Sequence, residues 1–170
     1  ASLKYAAVVA VAAVSAGTAW HFTKEKYENV AVVEEYTKAG ERRTVILPDG
    51  TRVQANSSTL LAYPERFVGK NRVVYLQGEA LFDVVKNDRQ PFIVKSGTVS
   101  VTALGTEFNV TAYGEEDEVK ATLLEGKVKV VCGGDGGESY ILAPGEQVSY
   151  GKNTGVSSKS TVPTEDVTAW

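Results

Sequence analysis

The pattern of apolar and polar positions changes near residue 22 of the 170-residue chain. Beyond it, apolar and polar residues alternate over short runs that Gly, Pro, Asn and Asp interrupt, which is typical of strands and turns. In the longest run, Arg72 to Val85, the even positions from Val74 to Val84 are apolar or small and predict a buried face. About ten such runs predict an all-β domain. It would be a two-layer β-sandwich or a β-helix-like stack of short antiparallel strands.

Residues 5–22 have a different pattern, because no charged residue interrupts them. A helix of this length measures about 27 Å, close to the roughly 30 Å of a bilayer core. Tyr5 and Trp20 stand near its two ends, where interfacial aromatic residues belong. We therefore expect one N-terminal transmembrane helix, although the core of a signal peptide and an Ala-rich soluble helix are alternatives. The flanking charges do not fix the membrane orientation.

Turn sequences divide the remainder of the chain. Leu47–Thr51 (LPDGT) predicts a tight turn, because Pro presets φ and Gly accepts positive φ. The glycine- and acid-rich segments 114–118 and 132–137 predict hairpin tips. Residues 151–170 are rich in Ser, Thr and Gly and predict a linker. We thus expect four segments: a transmembrane helix (1–22), a juxtamembrane segment with a first hairpin (23–43), a β domain (44–150) and a linker toward a missing C-terminal domain (151–170).

Two parts of the sequence resemble each other weakly. Leu76-Gln77-Gly78 aligns with Leu124-Glu125-Gly126, and upstream of each a Gly-Thr pair precedes an apolar residue, at Gly50-Thr51 and Gly105-Thr106. Repeats of this kind predict structural units stacked on a shared apolar seam. Chance similarity between strands rich in Gly and Val explains the same pattern.

Composition excludes several classes of function. Eighteen Lys and Arg stand against 21 Asp and Glu, and a net charge of −3 argues against nucleic-acid binding. A single Cys excludes a disulfide framework and a cysteine zinc site. A single His leaves little for catalysis by a nucleophile and a base. We expect no enzyme, no cofactor and no metal. The absence of Met predicts a piece of a longer protein.

One residue pair carries definite chemistry. The hydroxyl of Thr106 could attack the carbonyl of Gly105, forming an ester that water then cleaves, and Gly105 provides no steric shield. The simpler interpretation is a bend or bulge at Gly105. The favoured interpretation is structural, and self-cleavage is the alternative to test.

A binding function of another class is also open. A β domain could bind a glycan or another small ligand directly, by stacking on exposed aromatic side chains. Such a site would be a concave aromatic pocket with converging polar groups. The candidate side chains are Tyr63, Tyr75, Tyr113, Tyr140 and Tyr150.

A series of short motifs occurs in the order found in FecR-family anti-sigma regulators, which the chain resembles over residues 44–150. Each motif is weak alone, and the ordered set is specific. The motifs are Leu47-Pro48-Asp49-Gly50-Thr51, Asn56-Ser57-Ser58-Thr59-Leu60, Tyr63-Pro64, Arg72-x-Val74-x-Leu76-x-Gly78-Glu79-Ala80-x-Phe82-x-Val84, Pro91-Phe92-x-Val94, Leu104-Gly105-Thr106-x-Phe108-x-Val110, Leu124-x-Gly126-x-Val128 and Leu142-x-Pro144-Gly145-Glu146.

The resemblance implies a single-pass inner-membrane protein with its β domain in the periplasm. In similar proteins a cytoplasmic region holds an extracytoplasmic-function (ECF) sigma factor, and the periplasmic part senses the signalling domain of a TonB-dependent outer-membrane transducer. The implied function is cell-surface signalling and transcription regulation, with regulated proteolysis as one means of switching. A further periplasmic domain follows in similar proteins and takes the transducer contact. The sigma-binding region is expected before Ala1 and the further domain after Trp170, outside this chain.

The resemblance also marks individual positions. Some similar proteins cleave themselves at a Gly-Thr pair, which Gly105-Thr106 matches, and others do not. No other catalytic residue, and no cofactor-binding or metal-binding residue, is implied. The positions marked as structural motif are Asp49, Gly50, Arg72, Gly78, Glu79, Phe82, Phe108, Gly126, Pro144 and Gly145.

Overall fold

The computed structural model describes residues 30–167 together with residues 169 and 170. The transmembrane helix predicted within residues 1–22 lies outside these described residues. Within them, no helix has the length and apolar character that crossing a bilayer requires. Val32–Trp170 forms one unit, and its strands build the whole domain.

Thirteen strands and one helical turn make up this unit, which confirms the prediction of an all-β domain. The strands are β1 (Val32–Tyr36), β2 (Arg43–Ile46), β3 (Arg52–Ala55), β4 (Leu60–Pro64), β5 (Arg72–Asp83), β6 (Phe92–Ser96), β7 (Val99–Ala103), β8 (Glu107–Ala112), β9 (Glu118–Glu125), β10 (Val128–Cys132), β11 (Glu138–Leu142), β12 (Glu146–Gly151) and β13 (Ser157–Thr161). The helical turn is α1 (Thr164–Val167).

All thirteen strands join one hydrogen-bonded sheet that is bent along β5 into two halves. Half A has the order β1-β4-β5-β6-β7-β10-β11, and half B has the order β2-β3-β5-β8-β9-β12-β13. Residues 72–77 of β5 pair within half A, and residues 78–83 pair within half B. The inner faces of both halves contribute to a single core. The domain therefore has two facing layers, as in a sandwich, but the layers are continuous through β5.

Gly78 lies where β5 passes from half A to half B. Its φ of +112° is a conformation that residues with a side chain rarely adopt. A Cβ at this position would lie 2.5 Å from the hydroxyl oxygen of Thr59 and 2.7 Å from its Cα. Glycine is therefore required here both for its backbone conformation and for the close approach of Thr59, the residue before β4.

Three phenylalanines connect the two halves inside the core. Phe82 of β5 stacks on Phe108 of β8, with ring centres 5.2 Å apart and planes inclined by 15°. Phe92 of β6, in half A, lies with its ring centre 6.1 Å from that of Phe82. All three side chains are fully buried. Burying each contributes about 1.5–3 kcal/mol relative to exposure, so this cluster is a major part of what holds the layers together.

Several local predictions are confirmed. The even positions of β5 from Val74 to Val84 face the core, and Leu81 on the opposite face is buried as well. The Leu47–Thr51 turn joins β2 to β3, with the Gly50 N–H donating to the Leu47 carbonyl at 2.9 Å. Residues 114–118 connect β8 to β9, and residues 132–137 connect β10 to β11.

The prediction of a first hairpin within residues 23–43 is wrong. β1 pairs with β4 in half A, whereas β2 pairs with β3 in half B. The reason lies just after β1, where Thr37 exchanges hydrogen bonds with the residue before β4. The Thr37 N–H donates to the Thr59 carbonyl at 2.9 Å, and the Thr59 N–H donates to the Thr37 hydroxyl at 2.9 Å. These bonds hold β1 on β4, and the chain then crosses to half B.

Two further features differ from the sequence-based expectations. The segment 151–170, predicted to be a linker, contains β13, which pairs with β12 along its whole length. β13 has no apolar side chain, so it lacks the alternation that predicts a strand and is held by backbone hydrogen bonds. In addition, β5 and β6 pair in parallel, unlike the other strand pairs of the described sheet.

We expect Gly78→Ala to destabilise the domain by about 2–4 kcal/mol, because it combines a strained φ with an overpacked contact on Thr59. Gly40→Ala is the matched control, since Gly40 also has a positive φ of +78° but a Cβ added there would have no neighbouring atom within 4 Å. Its cost should be about 1–2 kcal/mol. Urea unfolding of both variants measures the difference, and equal losses would contradict the close packing at Gly78.

Candidate functional site

Arg72, the first residue of β5, is a buried cation. Its side chain is 1% exposed, and Nη1 donates to Oδ2 of Asp49 at 2.5 Å and to the carbonyl of Val85 at 2.9 Å. Nε donates to the carbonyl of Gln90 at 2.8 Å. The guanidinium also lies 5.4 Å from the ring centre of Phe92, within the range of a cation–π contact. A buried charge needs such partners, because desolvation alone is costly.

The carboxylate that meets Arg72 is fixed by the turn that carries it. Asp49 accepts hydrogen bonds from the backbone N–H of Thr51 at 3.0 Å and from its hydroxyl at 2.8 Å. The Thr51 hydroxyl in turn accepts the N–H of Val85 at 3.2 Å. The Leu47–Thr51 motif therefore holds the counter-ion of Arg72 against the end of β5.

A second polar cluster surrounds Glu79, one residue beyond the bend at Gly78. Its carboxylate accepts the side-chain amides of Asn56 at 2.7 Å and of Asn109 at 2.9 Å, and the hydroxyl of Thr111 at 3.0 Å. Its backbone N–H donates to the hydroxyl of Thr59 at 3.0 Å. Glu79 thus joins the turn before β4 to strand β8 across the bend.

The Gly105–Thr106 pair forms a tightly packed corner between β7 and β8. A Cβ on Gly105 would lie 2.7 Å from Cα of Lys86, and a Cβ on Gly126 would lie 2.6 Å from Cγ2 of Thr106. The carbonyl of Thr106 accepts the N–H of Val84 at 3.0 Å. Gly105 is therefore needed for the close approach of Lys86, and Gly126 for the close approach of Thr106. This packing is a structural reason for a glycine at each position.

The hydroxyl of Thr106 is one of a few buried polar groups without a hydrogen-bond partner among the described residues, as are Nη2 of Arg72 and Oδ1 of Asn109. The side chain is 8% exposed, and Oγ1 has no hydrogen-bond partner among the described residues. A buried hydroxyl without a partner costs about 1–3 kcal/mol. Thr51, in the other Gly-Thr pair of the weak repeat, is fully buried with its hydroxyl hydrogen-bonded on both sides. The Thr51 hydroxyl is therefore engaged in hydrogen bonds, whereas the Thr106 hydroxyl makes none with the described residues.

Concavities flank this corner on two sides. One, of about 330 Å³, is mainly apolar and is lined by Leu104 and Ile141. The other, of about 310 Å³, is polar and contains Lys86. Gly105 and Thr106 line both concavities.

Three carboxylates form a row across half B in the polar concavity. Asp83 of β5 lies opposite Glu107 of β8, and Glu107 lies near Glu125 of β9 at a register shift. Burial raises the pKa of Glu107, and the negative charges of Asp83 and Glu125 raise it further. Arg52 on β3 lies opposite Asp83 in the strand register.

The Pro144–Gly145 motif is a turn between β11 and β12. The Glu146 N–H donates to the Ala143 carbonyl at 3.0 Å, and Gly145 has the positive φ of +82° that the third position of a type II turn requires. The Glu146 carboxylate accepts the Ala143 N–H at 2.7 Å, and this bond together with Lys159 lowers its pKa. The motif therefore closes the turn that takes the chain from β11 in half A to β12 in half B.

The positions that the sequence marks as structural motif lie in several separate parts of the structure. Asp49, Gly50 and Arg72 meet at the ion pair, and Phe82 and Phe108 meet in the core. Gly78 and Glu79 lie at the bend. Gly126 packs on Gly105–Thr106. Sequence reasoning missed the carboxylates Asp83, Glu107 and Glu125, because three distant acidic residues give no signal until the strand register aligns them.

The five tyrosines proposed for ligand stacking do not converge. Tyr63 and Tyr150 are buried, while the hydroxyl of Tyr113 donates to the carbonyl of Ser57 and that of Tyr140 to Glu138. Tyr75 alone of the five lines the concavity of about 400 Å³ beside β4 and β6.

Two observations concern metal binding and the reactivity of the single cysteine. In residues 30–167 and 169–170, no group of three or more His, Cys, Asp or Glu is placed to hold a metal ion. Cys132 is buried, and burial together with the charge of Glu138 raises the pKa of its thiol. Its thiol is therefore held in the protonated, less reactive form.

A family model described as FecR protein matches residues 33–129, more than half of the chain. Two crystal structures of a "putative anti-sigma factor" from Parabacteroides distasonis ATCC 8503 are similar in sequence and fold. One is 35% identical with a TM-score of 0.78, and the match covers 82% of this chain and 64% of that chain. The other is 36% identical with a TM-score of 0.77, covering 81% of this chain and 64% of that chain.

The chain therefore belongs to the FecR family of anti-sigma regulators, which confirms the resemblance found in the sequence. It spans less than two thirds of the length of the two structures that it matches. No curated protein matches the sequence.

Removing the central charge of the carboxylate row should stabilise the domain at neutral pH. Because the folded state raises the pKa of Glu107, ionisation costs stability as the pH rises above the unfolded value of about 4.3. Glu107→Gln should therefore raise the unfolding free energy at pH 7 by roughly 0.2–1 kcal/mol. The gain should vanish at pH 4 and below. Urea unfolding measures it, with the exposed Glu65→Gln as control; an equal gain at both pH values would contradict the charge argument.

Proposed function

We propose that this chain is the periplasmic sensor and relay domain of a membrane-anchored anti-sigma regulator. It passes a signal from the signalling domain of a TonB-dependent outer-membrane transducer toward an ECF sigma factor. The sigma factor is held by a cytoplasmic region outside this chain, and residues 5–22 form the single inner-membrane span between them. The observation that carries the proposal is FecR-family membership, together with the fold shared with the anti-sigma factor structures.

The polar groups of the domain support a relay rather than an enzyme. The ion pair of Arg72 and Asp49 and the cluster of Glu79 use their hydrogen bonds internally, in holding the bent sheet. A relay works through surfaces, because a signal passes only when a partner binds two states of the domain with different affinity. Regulated proteolysis would make release of the sigma factor irreversible.

Direct binding of a glycan or small ligand is the weaker alternative. It needs several aromatic side chains around one concave site. Tyr75 lines such a concavity without the other four candidate tyrosines. We therefore propose the relay in preference.

The membrane and periplasmic parts of the proposal are tested with alkaline phosphatase fused after Trp170 and the fusion produced in a Gram-negative host. We expect the fusion to float with membranes and the phosphatase to be active, since it folds only outside the cytoplasm. The same fusion beginning at residue 23 is the control and should be neither membrane-bound nor active. A full-length fusion that stays wholly soluble, or whose phosphatase is inactive, would contradict the tether or its orientation.

Self-cleavage between Gly105 and Thr106 is a second candidate function, favoured by the buried Thr106 hydroxyl, which has no hydrogen-bond partner in the part of the chain that the structure describes. The hydroxyl oxygen attacks the Gly105 carbonyl carbon, the bond to the Thr106 nitrogen breaks, and the hydroxyl proton ends on the new amine. Water then adds to the ester and releases the Thr106 hydroxyl. The products are a Gly105 carboxylate and a Thr106 amino terminus, and water is the only co-reactant.

The matched variants for this candidate are Thr106→Val and Thr51→Val, which remove one hydroxyl each from a buried Gly-Thr pair. We expect mass spectrometry of the purified chain to detect a break after Gly105 that Thr106→Val abolishes. Thr51→Val should remain cleavable, although the loss of its hydrogen bonds lowers stability. An intact wild-type chain after prolonged incubation under signalling conditions, or cleavage that survives in Thr106→Val, would exclude the mechanism.

A further inference from the structure

β1 is an edge strand of half A, and among the described strands it pairs with β4 alone. An edge strand presents unpaired backbone groups that a strand of another chain can bind. β1 contains no Pro, Lys or Arg, which are common protections of such edges. Its backbone is therefore a candidate template for strand addition.

Basic side chains lie on or contact the other three edge strands of the described sheet, which are β2, β11 and β13. β2 begins at Arg43, directly after Arg42. β13 carries Lys159, whose Nζ donates to the carbonyl of Ile141 on the edge strand β11 at 3.1 Å. Lys159 thus occupies a backbone acceptor of β11, whereas the contact of Arg43 with β1 is made to Glu35, on the face opposite to Glu34.

The outer face beside β1 is apolar and exposed. Val32 and Tyr36 are 65% and 56% exposed on the strand itself. Tyr36 lies opposite Leu60 of β4, while Tyr75 of β5, which is 56% exposed, lies opposite Ala62 in the neighbouring row that begins at Glu34. Leu60 and Tyr75 also line the concavity of about 400 Å³. Exposed tyrosines around aliphatic side chains are typical of the centres of protein interfaces.

Glu34 is the central residue of the same face of β1. It is exposed and makes no ion pair within the described part of the chain, whereas its neighbour Glu35 is bound by Arg43 at 2.9 Å. Two antiparallel copies of β1 in the most symmetric register would place Glu34 opposite Glu34, which like-charge repulsion disfavours. A second copy of this chain is therefore a poor occupant of the edge.

We propose that β1 docks an extended segment of a partner protein with the pattern apolar-x-basic-x-apolar. The basic residue lies opposite Glu34, and the two apolar residues lie opposite Val32 and Tyr36 on the outer face. Because the pattern is symmetric about its centre, it fits β1 in either strand direction. The binding of such a segment to β1 does not depend on the proposed relay function. Only its biological role, as the contact with a signalling partner, rests on that function.

The test uses the full 170-residue chain in mild detergent and two disulfide-closed β-hairpin peptides. The free strand of one hairpin reads Val-Thr-Lys-Thr-Val, and that of the other reads Val-Thr-Glu-Thr-Val. We expect the lysine hairpin to bind about two- to thirtyfold more tightly, the range given by exchanging an opposite-charge for a like-charge cross-strand pair. Amide NMR shifts should be confined to β1 and the adjoining residues of β4.

Charge reversal separates specific pairing from general attraction. Glu34→Lys should invert the preference between the two hairpins, and Glu115→Lys, the same charge change in the turn before β9, should leave it unchanged. Equal binding of both hairpins, binding of neither at millimolar concentration, or shifts on another edge strand would overturn the inference. None of these measurements involves a sigma factor or a membrane, so their failure is distinct from failure of the proposed function.

Discussion

The buried ion pair between Arg72 and Asp49 is the interaction on which the rest of the domain depends. A straight strand from Arg72 to Val85 would span about 43 Å, far beyond the reach of one side chain. Yet the guanidinium of Arg72 binds the carbonyl of Val85. The two ends of β5 therefore meet, and one cation fastens them to the turn that carries Asp49. This closure fixes the relation of the two halves together with the phenylalanine cluster between them.

The bend that this closure requires is built from a small residue and a hydrogen-bonded carboxylate. Gly78 admits the close approach of Thr59, and Glu79 collects amide and hydroxyl donors from both sides of the bend. Gly126 admits Thr106 in a comparable way at the opposite corner. Each corner is therefore a glycine–threonine contact, and the motif glycines serve geometry at places where the sheet changes direction.

Much of the fold is accessible to sequence reasoning, because strands and tight turns leave local signals. The alternation of β5 and the turn at Leu47–Thr51 were predictable for that reason. The pairing of β1 with β4 was not, since it depends on hydrogen bonds of Thr37 with a residue 22 positions away. β13 was also missed, because a strand without apolar side chains carries no apolar period. The carboxylate row around Glu107 arises only from strand register, which local patterns do not encode.

The exposed hairpin of β12 and β13 has a mechanical consequence. Its open end is the pair of Glu146 and Thr161, and the chain continues from Thr161. Tension applied beyond that residue loads the backbone bonds one after another, as in opening a zipper, rather than all together in shear. Since β13 places no side chain in the core, it is the first element to detach under load, while the ion pair of Arg72 and Asp49 stays formed.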